Sequence, residues 1–416
     1  MRTVLPLVTL LALACAGGGE TGDDPTDTEP SDSEPGTDTE PEVDTEGEDT
    51  DAAGCEGVAW YEVFGETATD EAWGVGTLPG GDVVFAAHQG NPTLADGYVR
   101  RYTPEGALVW ESSWGEAYTE QLFVVEEHGG VLYVGGTQFR SFGLYDTAAL
   151  LLTLDPDTGA VLDVYQWDTE GWDEIDGLHV DDDGVFLTGW AQGASGTWDA
   201  RAVRLTHDLE EVWSTDLDVS SGGIDGANGH LVRIGEVVYF AGHADYSFST
   251  DTFLAAVDAG TGASLWTRVE DDGGTHTEAL GLTSDGERLY GVGEGQVDGD
   301  GQVLLWAWEL DGTPVWSTSW GPEGADVARA IRVWGDRLLV AANGSGQVSF
   351  VQVDPDSGAA TTLTTWGGAG VDVAHDFVID GARLYVALES SSFGAGDLDA
   401  VVLAGCLDPL LLPEPS

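Results

Sequence analysis

The 416-residue chain contains no lysine; its 13 basic residues are all arginine, set against 75 acidic residues, for a formal net charge of −62. A surface this negative repels phosphate backbones and anionic bilayers, so nucleic-acid binding and direct membrane contact by a folded part are excluded. Long apolar runs are missing too. The longest lies within residues 1–14, far short of the roughly 20 residues a membrane helix needs. Cysteine occurs three times, at Cys15, Cys55 and Cys406. H-E-x-x-H, G-x-S-x-G, a phosphate-cradling Gly-Lys loop and C-x-x-C are absent. With them go the signatures of zinc proteases, α/β-hydrolases, P-loop enzymes and thiol oxidoreductases. The expectation is a protein that binds rather than catalyses.

What the chain has in quantity is glycine, 60 residues, and a phrase that returns seven times. Its strand–turn–strand part reads EAWGVGTLPGGDVVFAA from Glu71 and EQLFVVEEHGGVLYVGG from Glu120, and restarts at Asp173, Gly226, Thr277, Asp326 and Asp372. Equivalent positions fall at 60, 110, 163, 213, 266, 316 and 362. Short strands of period two between Gly, Pro and Asp turns read as antiparallel hairpins. Four strands per copy cannot bury both faces alone, whereas copies stacked around an axis can. The expected fold is all-β: a seven-bladed β-propeller of four-stranded antiparallel blades over residues 55–407, with a C-terminal tail at 408–416. The seventh copy has no fourth strand after Asp399–Ala404, and Val58–Gly65 is a fourth strand with nothing before it. Joining them closes the ring with the N-terminal strand and removes an open edge. Aligning the copies puts Cys406 at the place of Asp258 and Cys55 at that of Thr261, three residues apart in a hairpin turn. A Cys55–Cys406 disulfide is therefore expected.

The pattern W…WG…D-x-A, best developed at Trp316–Trp320–Gly321…Asp326–Val327–Ala328, resembles the bacterial β-propeller repeat known as SBBP. The resemblance covers roughly Val58 to Leu407. The hairpin DAGTGASLW from Asp258 is similar to the PQQ-type propeller repeat. These resemblances imply an architecture rather than one activity. The second implies an alternative role, that of PQQ-like propeller lipoproteins that assist outer-membrane protein assembly and usually have eight blades.

Residues 1–14 read as a secretory signal peptide. The boundary Ala12-Leu13-Ala14-Cys15 resembles a bacterial lipobox, which implies that Cys15 is lipidated and becomes the mature N-terminus. Residues 15–54 form an acidic tether, with 15 acidic and no basic residues between 16 and 54. Such a stretch cannot bury enough apolar surface to offset its ordering entropy and is expected to stay disordered. As a coil it averages roughly 35 Å end to end. The expected location is the bacterial cell envelope, at the outer membrane or surface, with the membrane touched only through the lipid.

In a propeller the loops leading into each inner strand share a face with those between second and third strands. The first class contributes Asp70, Thr119, Trp172, Asp225, His276, Asp326 and Asp372; the second begins at His88, Thr137, Trp190, His243, Glu294, Asn343 and Glu389. Asp70, Asp225, Asp326 and Asp372 are the candidate metal ligands, an oxygen-rich set suited to calcium; a His pair admits zinc. The alternative for the same aspartates is turn capping. His88, Trp190, His243, Glu294 and Glu389 are the candidate ligand-binding face, with His88 and His243 expected to be exposed and Trp190 and Trp198 placed in loops. Trp110, Trp213, Trp266 and Trp316 recur at one strand position, which points to packing between blades. The expected function is binding or scaffolding of a protein or glycan ligand by a monomer, with calcium the one cofactor suggested. A hydrolase or lyase using the acidic ring is the enzymatic alternative.

Overall fold

The computed structural model describes residues 59–414 apart from loop segments 66–68, 91–94, 116–117, 141–145, 170, 194–195, 247–249, 271–275, 298, 323, 395–397 and 408–409. Among the described residues there is no helix. Seven sheets follow one another, and within each the strands run a, b, c, d from the axis outward, all antiparallel. Blade 1 is Asp70–Thr77, Val83–Gln89, Asp96–Tyr102 and Leu108–Trp114. Blades 2 to 6 occupy 120–167, 174–217, 226–270, 277–320 and 327–366. Blade 7 takes Asp372–Asp380, Arg383–Ser390 and Asp399–Leu407 from the end of the chain and Trp60–Phe64 from its start, with Trp60 opposite Ala404 and Phe64 opposite Ala400. Its sheet also gains a short pairing of Leu410–Leu411 with Cys406 and Leu407. Seven blades, not eight, count against the assembly-factor alternative.

Sequence explains the radial order. The b and c strands are covered on both faces by neighbouring blades, so they read as nearly continuous apolar runs, such as TAALLLTL at Thr147–Leu154, buried throughout. Outer strands face solvent on one side and alternate, as LVWESSW does at Leu108–Trp114. The a strands converge on the axis. In blades 1, 2, 3, 5, 6 and 7 each carries a bulge, as between Ala72 and Gly74 or between Ala374 and Asp376. The extra residue increases local twist and re-aims the side chains before it. In blade 4 the strand is broken into Gly226–Ala227 and Val232–Ile234.

The recurring tryptophans hold blade to blade. The indole N–H groups of Trp60, Trp110, Trp213 and Trp316 donate to carbonyls of Pro104, Pro156, Ala259 and Pro355, all in the c–d turn of the next blade, at 2.9–3.0 Å. Each ring lies on the glycine of that turn. A Cβ on Gly106, Gly159, Gly262, Gly312 or Gly358 would stand 2.6–2.8 Å from the indole, and all five have positive φ. Where blade 2 has Asp163 instead of Trp, the matching residue of blade 3 is Leu209, at φ 59°. Tryptophan and glycine are thus lost together. The Asp-x-x-Thr/Ser-Gly turns cap themselves: Asp155 Oδ1 accepts from Asp157 N, Thr158 N and Thr158 Oγ1 at 2.9–3.0 Å.

Candidate functional site

The a strands begin at one backbone contact each. Asp70 N donates to Leu398 O, and Glu120, Asp225, Thr277, Asp326 and Asp372 make the same bond to the preceding blade. The bulge follows two residues later, and Asp173 stands at that distance in blade 3. The ring is therefore Asp70, Glu120, Asp173, Asp225, Thr277, Asp326 and Asp372. Thr119, Trp172 and His276, expected in it, stand one residue too early.

These carboxylates mostly serve the loops. Asp70 Oδ1 accepts from Gly90 N at 2.8 Å. Asp225 accepts from Val219 N, Ser220 N and Asp245 N, and Asp372 from Gly368 N and from the hydroxyls of Ser390 and Ser392. This is the capping role. It also explains the WG…D motif: a Cβ on Gly65, Gly321 or Gly367 would lie 2.2–2.4 Å from the carboxylate of Asp70, Asp326 or Asp372. Asp326 differs, because both its oxygens are buried without a hydrogen-bond partner. Burial, then the charge of Asp300, pushes its carboxyl up to about 6.

One residue further in, the side chains turn to the channel, and each faces a residue of the b strand. Glu71 pairs with His88, Gln121 with Thr137, Glu174 with Trp190 and Gly226 with His243. Glu278 pairs with Glu294, Val327 with Asn343 and Val373 with Glu389. The expected b-strand set thus occupies one position in all seven blades. Two of its expectations are corrected. His88 and His243 are buried, at 4% and 0% exposure, because the neighbouring a strand covers the end of strand b. Trp190 and Trp198 belong to strands, not loops.

Two clusters form at this mouth. In the first, Glu71, Trp73 and His88 of blade 1 meet His375 and Glu389 of blade 7. Trp73 Nε1 donates to Glu71 Oε2 at 2.7 Å, and its ring stacks on His375 with centroids 3.9 Å apart. His88 Nε2 is 3.5 Å from Glu71 Oε2, and His375 Nε2 is 3.8 Å from Glu389 Oε2. Burial raises the Glu71 and Glu389 carboxyls, with the Glu389 charge adding to the shift at Glu71. Burial also holds His88 below its usual value and lowers His375 to about 3.

The second cluster joins blades 3, 4 and 5. Asn228 Nδ2 donates to Glu278 Oε1 at 2.5 Å, His243 Nδ1 is 3.1 Å from the same oxygen, and Trp190 Nε1 donates to Asn228 Oδ1. Burial opposes ionisation of Glu278, but His243, His276 and Arg329 outweigh it and hold the carboxyl low. Beside it, burial raises the carboxyls of both Glu174 and Asp176, neighbouring half-buried side chains of strand a. Deeper in, Arg332 of blade 6 bonds Asp376 of blade 7 and His230 of blade 4, which bridges the channel. The bulge residues Trp73, Asp176, Arg329 and His375 of blades 1, 3, 6 and 7 were missed by the sequence reading.

Among the described residues, three groups converge as metal ligands do: Glu71, His375 and Glu389; His276, Glu278 and Glu294; and Asp199, Asp218 and Asp225. Of the expected ligands only Asp225 is in one. Cys406 is buried in the c strand of blade 7, whereas Cys15 and Cys55 lie outside the described residues.

The seven sheets define a seven-bladed β-propeller with a polar, bridged channel. No protein-family model matches the chain, and no curated protein does; the SBBP resemblance therefore stays one of repeat motif. Among solved structures the chain is similar to Sqt1 from Chaetomium thermophilum, at 13% identity over 84% of this chain and 97% of that one, TM-score 0.49. It is also similar to the Dos1 propeller, at 12% identity over 85% and 95%, TM-score 0.44, and to quinohemoprotein alcohol dehydrogenase from Comamonas testosteroni, at 11% over 86% and 78%, TM-score 0.43. Sqt1 has also been solved bound to the N-terminus of the ribosomal protein L10.

Proposed function

We propose that this protein is a lipid-anchored, non-enzymatic binding or scaffolding propeller of the bacterial envelope, which takes a protein or glycan ligand at the channel mouth. One observation carries the reading. The mouth gathers imidazoles, carboxylates and indoles on one face, and buried polar atoms there, such as His243 Nε2 and His88 Nδ1, have no hydrogen-bond partner. Buried polar groups normally find one, and a bound ligand is the natural source. Indole and carboxylate together suit sugar rings or polar peptide segments. The lipobox-like boundary at Cys15 and the acidic tether support a domain held off a membrane surface.

The test is affinity capture from envelope extracts with the wild type and a His276→Ala/Glu294→Ala double variant, both side chains being partly exposed at the mouth. The reading expects a partner held by the wild type and lost by the variant. Equal capture by both contradicts a ligand at the mouth. A hydrolase or lyase reading keeps one supporting observation, the half-buried Glu174–Asp176 pair with both carboxyls raised, which is how a general acid is prepared. It expects turnover of a captured glycan that Asp176→Asn abolishes.

A further inference from the structure

We propose that Glu71, His375 and Glu389 form a binding site for a divalent first-row transition-metal ion, with zinc as the test case, between blades 1 and 7. The claim is independent of the ligand reading above and survives its failure. One ligand atom from each residue lies within 4.8 Å of the others. A tetrahedral ion with bonds near 2.1 Å holds its ligand atoms about 3.4 Å apart, and His375 Nε2 already stands 3.8 Å from Glu389 Oε2. Side-chain adjustments of well under an ångström close that pair.

The independent observation is His375 itself. It is 6% exposed, and neither Nδ1 nor Nε2 has a hydrogen-bond partner; Glu389 Oε2 has none either. A buried polar atom without a partner is destabilising, and an imidazole orphaned at both nitrogens is costlier still. A metal at Nε2 supplies one missing partner and satisfies Glu389 at the same time.

The surroundings are those of ordered ligands. Trp73 Nε1 fixes one Glu71 oxygen at 2.7 Å, and its ring fixes the His375 plane; such outer donors orient first ligands and tune affinity. His88, 3.5 Å from Glu71 Oε2 and 4% exposed, flanks the site. The two carboxylates repel each other, and Arg329, 5.6 Å from the Trp73 ring, supplies a single positive charge nearby. A dication relieves that repulsion. One imidazole and two carboxylates without a thiolate suit zinc, cobalt, nickel or manganese; calcium asks for six to eight oxygens. The His276–Glu278–Glu294 group is less suited, because Glu278 is already held by Asn228 and His243.

The experiment is calorimetric titration of the full-length chain, stripped with chelator, with zinc, and a parallel cobalt titration read by visible absorption. The proposal expects one tight equivalent in the wild type, lost in Glu389→Gln. It expects Trp73→Phe, which keeps the stacking ring but removes the donor, to weaken binding roughly 10–100-fold. Glu294→Gln should leave that equivalent in place. Weak ions on the acidic tether appear alike in every variant and cancel. If Glu389→Gln misfolds by circular dichroism, Trp73→Phe decides. No tight equivalent in the wild type, unchanged affinity in both Glu389→Gln and Trp73→Phe, or loss only in Glu294→Gln overturns the proposal.

Discussion

Replacing Gly262 by alanine tests the interblade contact most sharply. Gly262 has φ +70°, where an L-residue costs about 1–2 kcal/mol. The new Cβ also meets Trp213 at 2.6 Å and Thr215 Oγ1 at 2.8 Å. Neither yields freely: the indole donates to Ala259 O at 3.0 Å, and the hydroxyl to Gly262 O at 2.6 Å. Displacing a packed ring adds about 1–3 kcal/mol, so Gly262→Ala should cost about 2–5 kcal/mol in all. Trp213→Thr, the residue blade 6 carries at Thr362, removes a nearly buried ring and costs about 3–5 kcal/mol alone. In that background the clash with the ring disappears, and Gly262→Ala costs only its backbone penalty and the remaining contact with Thr215 Oγ1. Urea denaturation of the four proteins should give a coupling of about 1–3 kcal/mol, well above the scatter of independent sites. Leu209 opposite Asp163 is the natural precedent. If Gly262→Ala costs the same with and without Trp213, the tryptophan does not require the glycine, and the account of the repeat motif is wrong.

Asp326→Asn should stabilise the protein above pH 6. The folded carboxyl, at about 6 against an ordinary 3.8, binds its proton more tightly than the unfolded one; its penalty is full above pH 6 and fades as pH falls toward 4. The difference in melting temperature between variant and wild type should shrink over that window, and a pH-independent difference contradicts the assignment. Cys55 and Cys406 should appear as a disulfide in non-reducing peptide maps. In blade 4, whose Trp266–Ala256 register matches Trp60–Ala404, the equivalent side chains of Thr261 and Asp258 are 2.7 Å apart. Closing about 350 residues should stabilise by roughly 5 kcal/mol, and free thiols at both positions exclude the bridge. Cys15 should incorporate labelled palmitate, whereas Cys15→Ser should not; equal labelling removes the anchor.

Much of this architecture could be read from the chain because its repeat is long and its punctuation regular. The seven copies, the joining of the two termini in blade 7 and the register of the b-strand set from His88 to Glu389 follow from counting between turn residues. The inner strands were harder. A bulge two residues past Asp70 and its equivalents adds a residue to strand a, so period-two reasoning misassigns what lies beside it. That is why Trp73 and His375 looked like ordinary strand positions. Thr119, Trp172 and His276 displaced Glu120, Asp173 and Thr277 in the ring because Asp70 stands 18 residues before His88, whereas Glu120, Asp173 and Thr277 stand 17 before Thr137, Trp190 and Glu294. Burial of His88 and His243 was illegible for another reason. It depends on how closely the next blade approaches, a property of the closed ring and of no single copy.

The central claim, that the channel mouth is where this propeller binds, is tested most directly by hydrogen exchange with and without the captured partner. Protection is expected in peptides spanning His88–Gln89, Trp190–Gln192, His243–Ala244, Glu294–Val297 and Glu389–Ser390, at the mouth ends of the b strands. Protection confined to the outer strands, around Leu108–Val109, Val161–Val164 and Leu265, with the mouth unchanged, contradicts it.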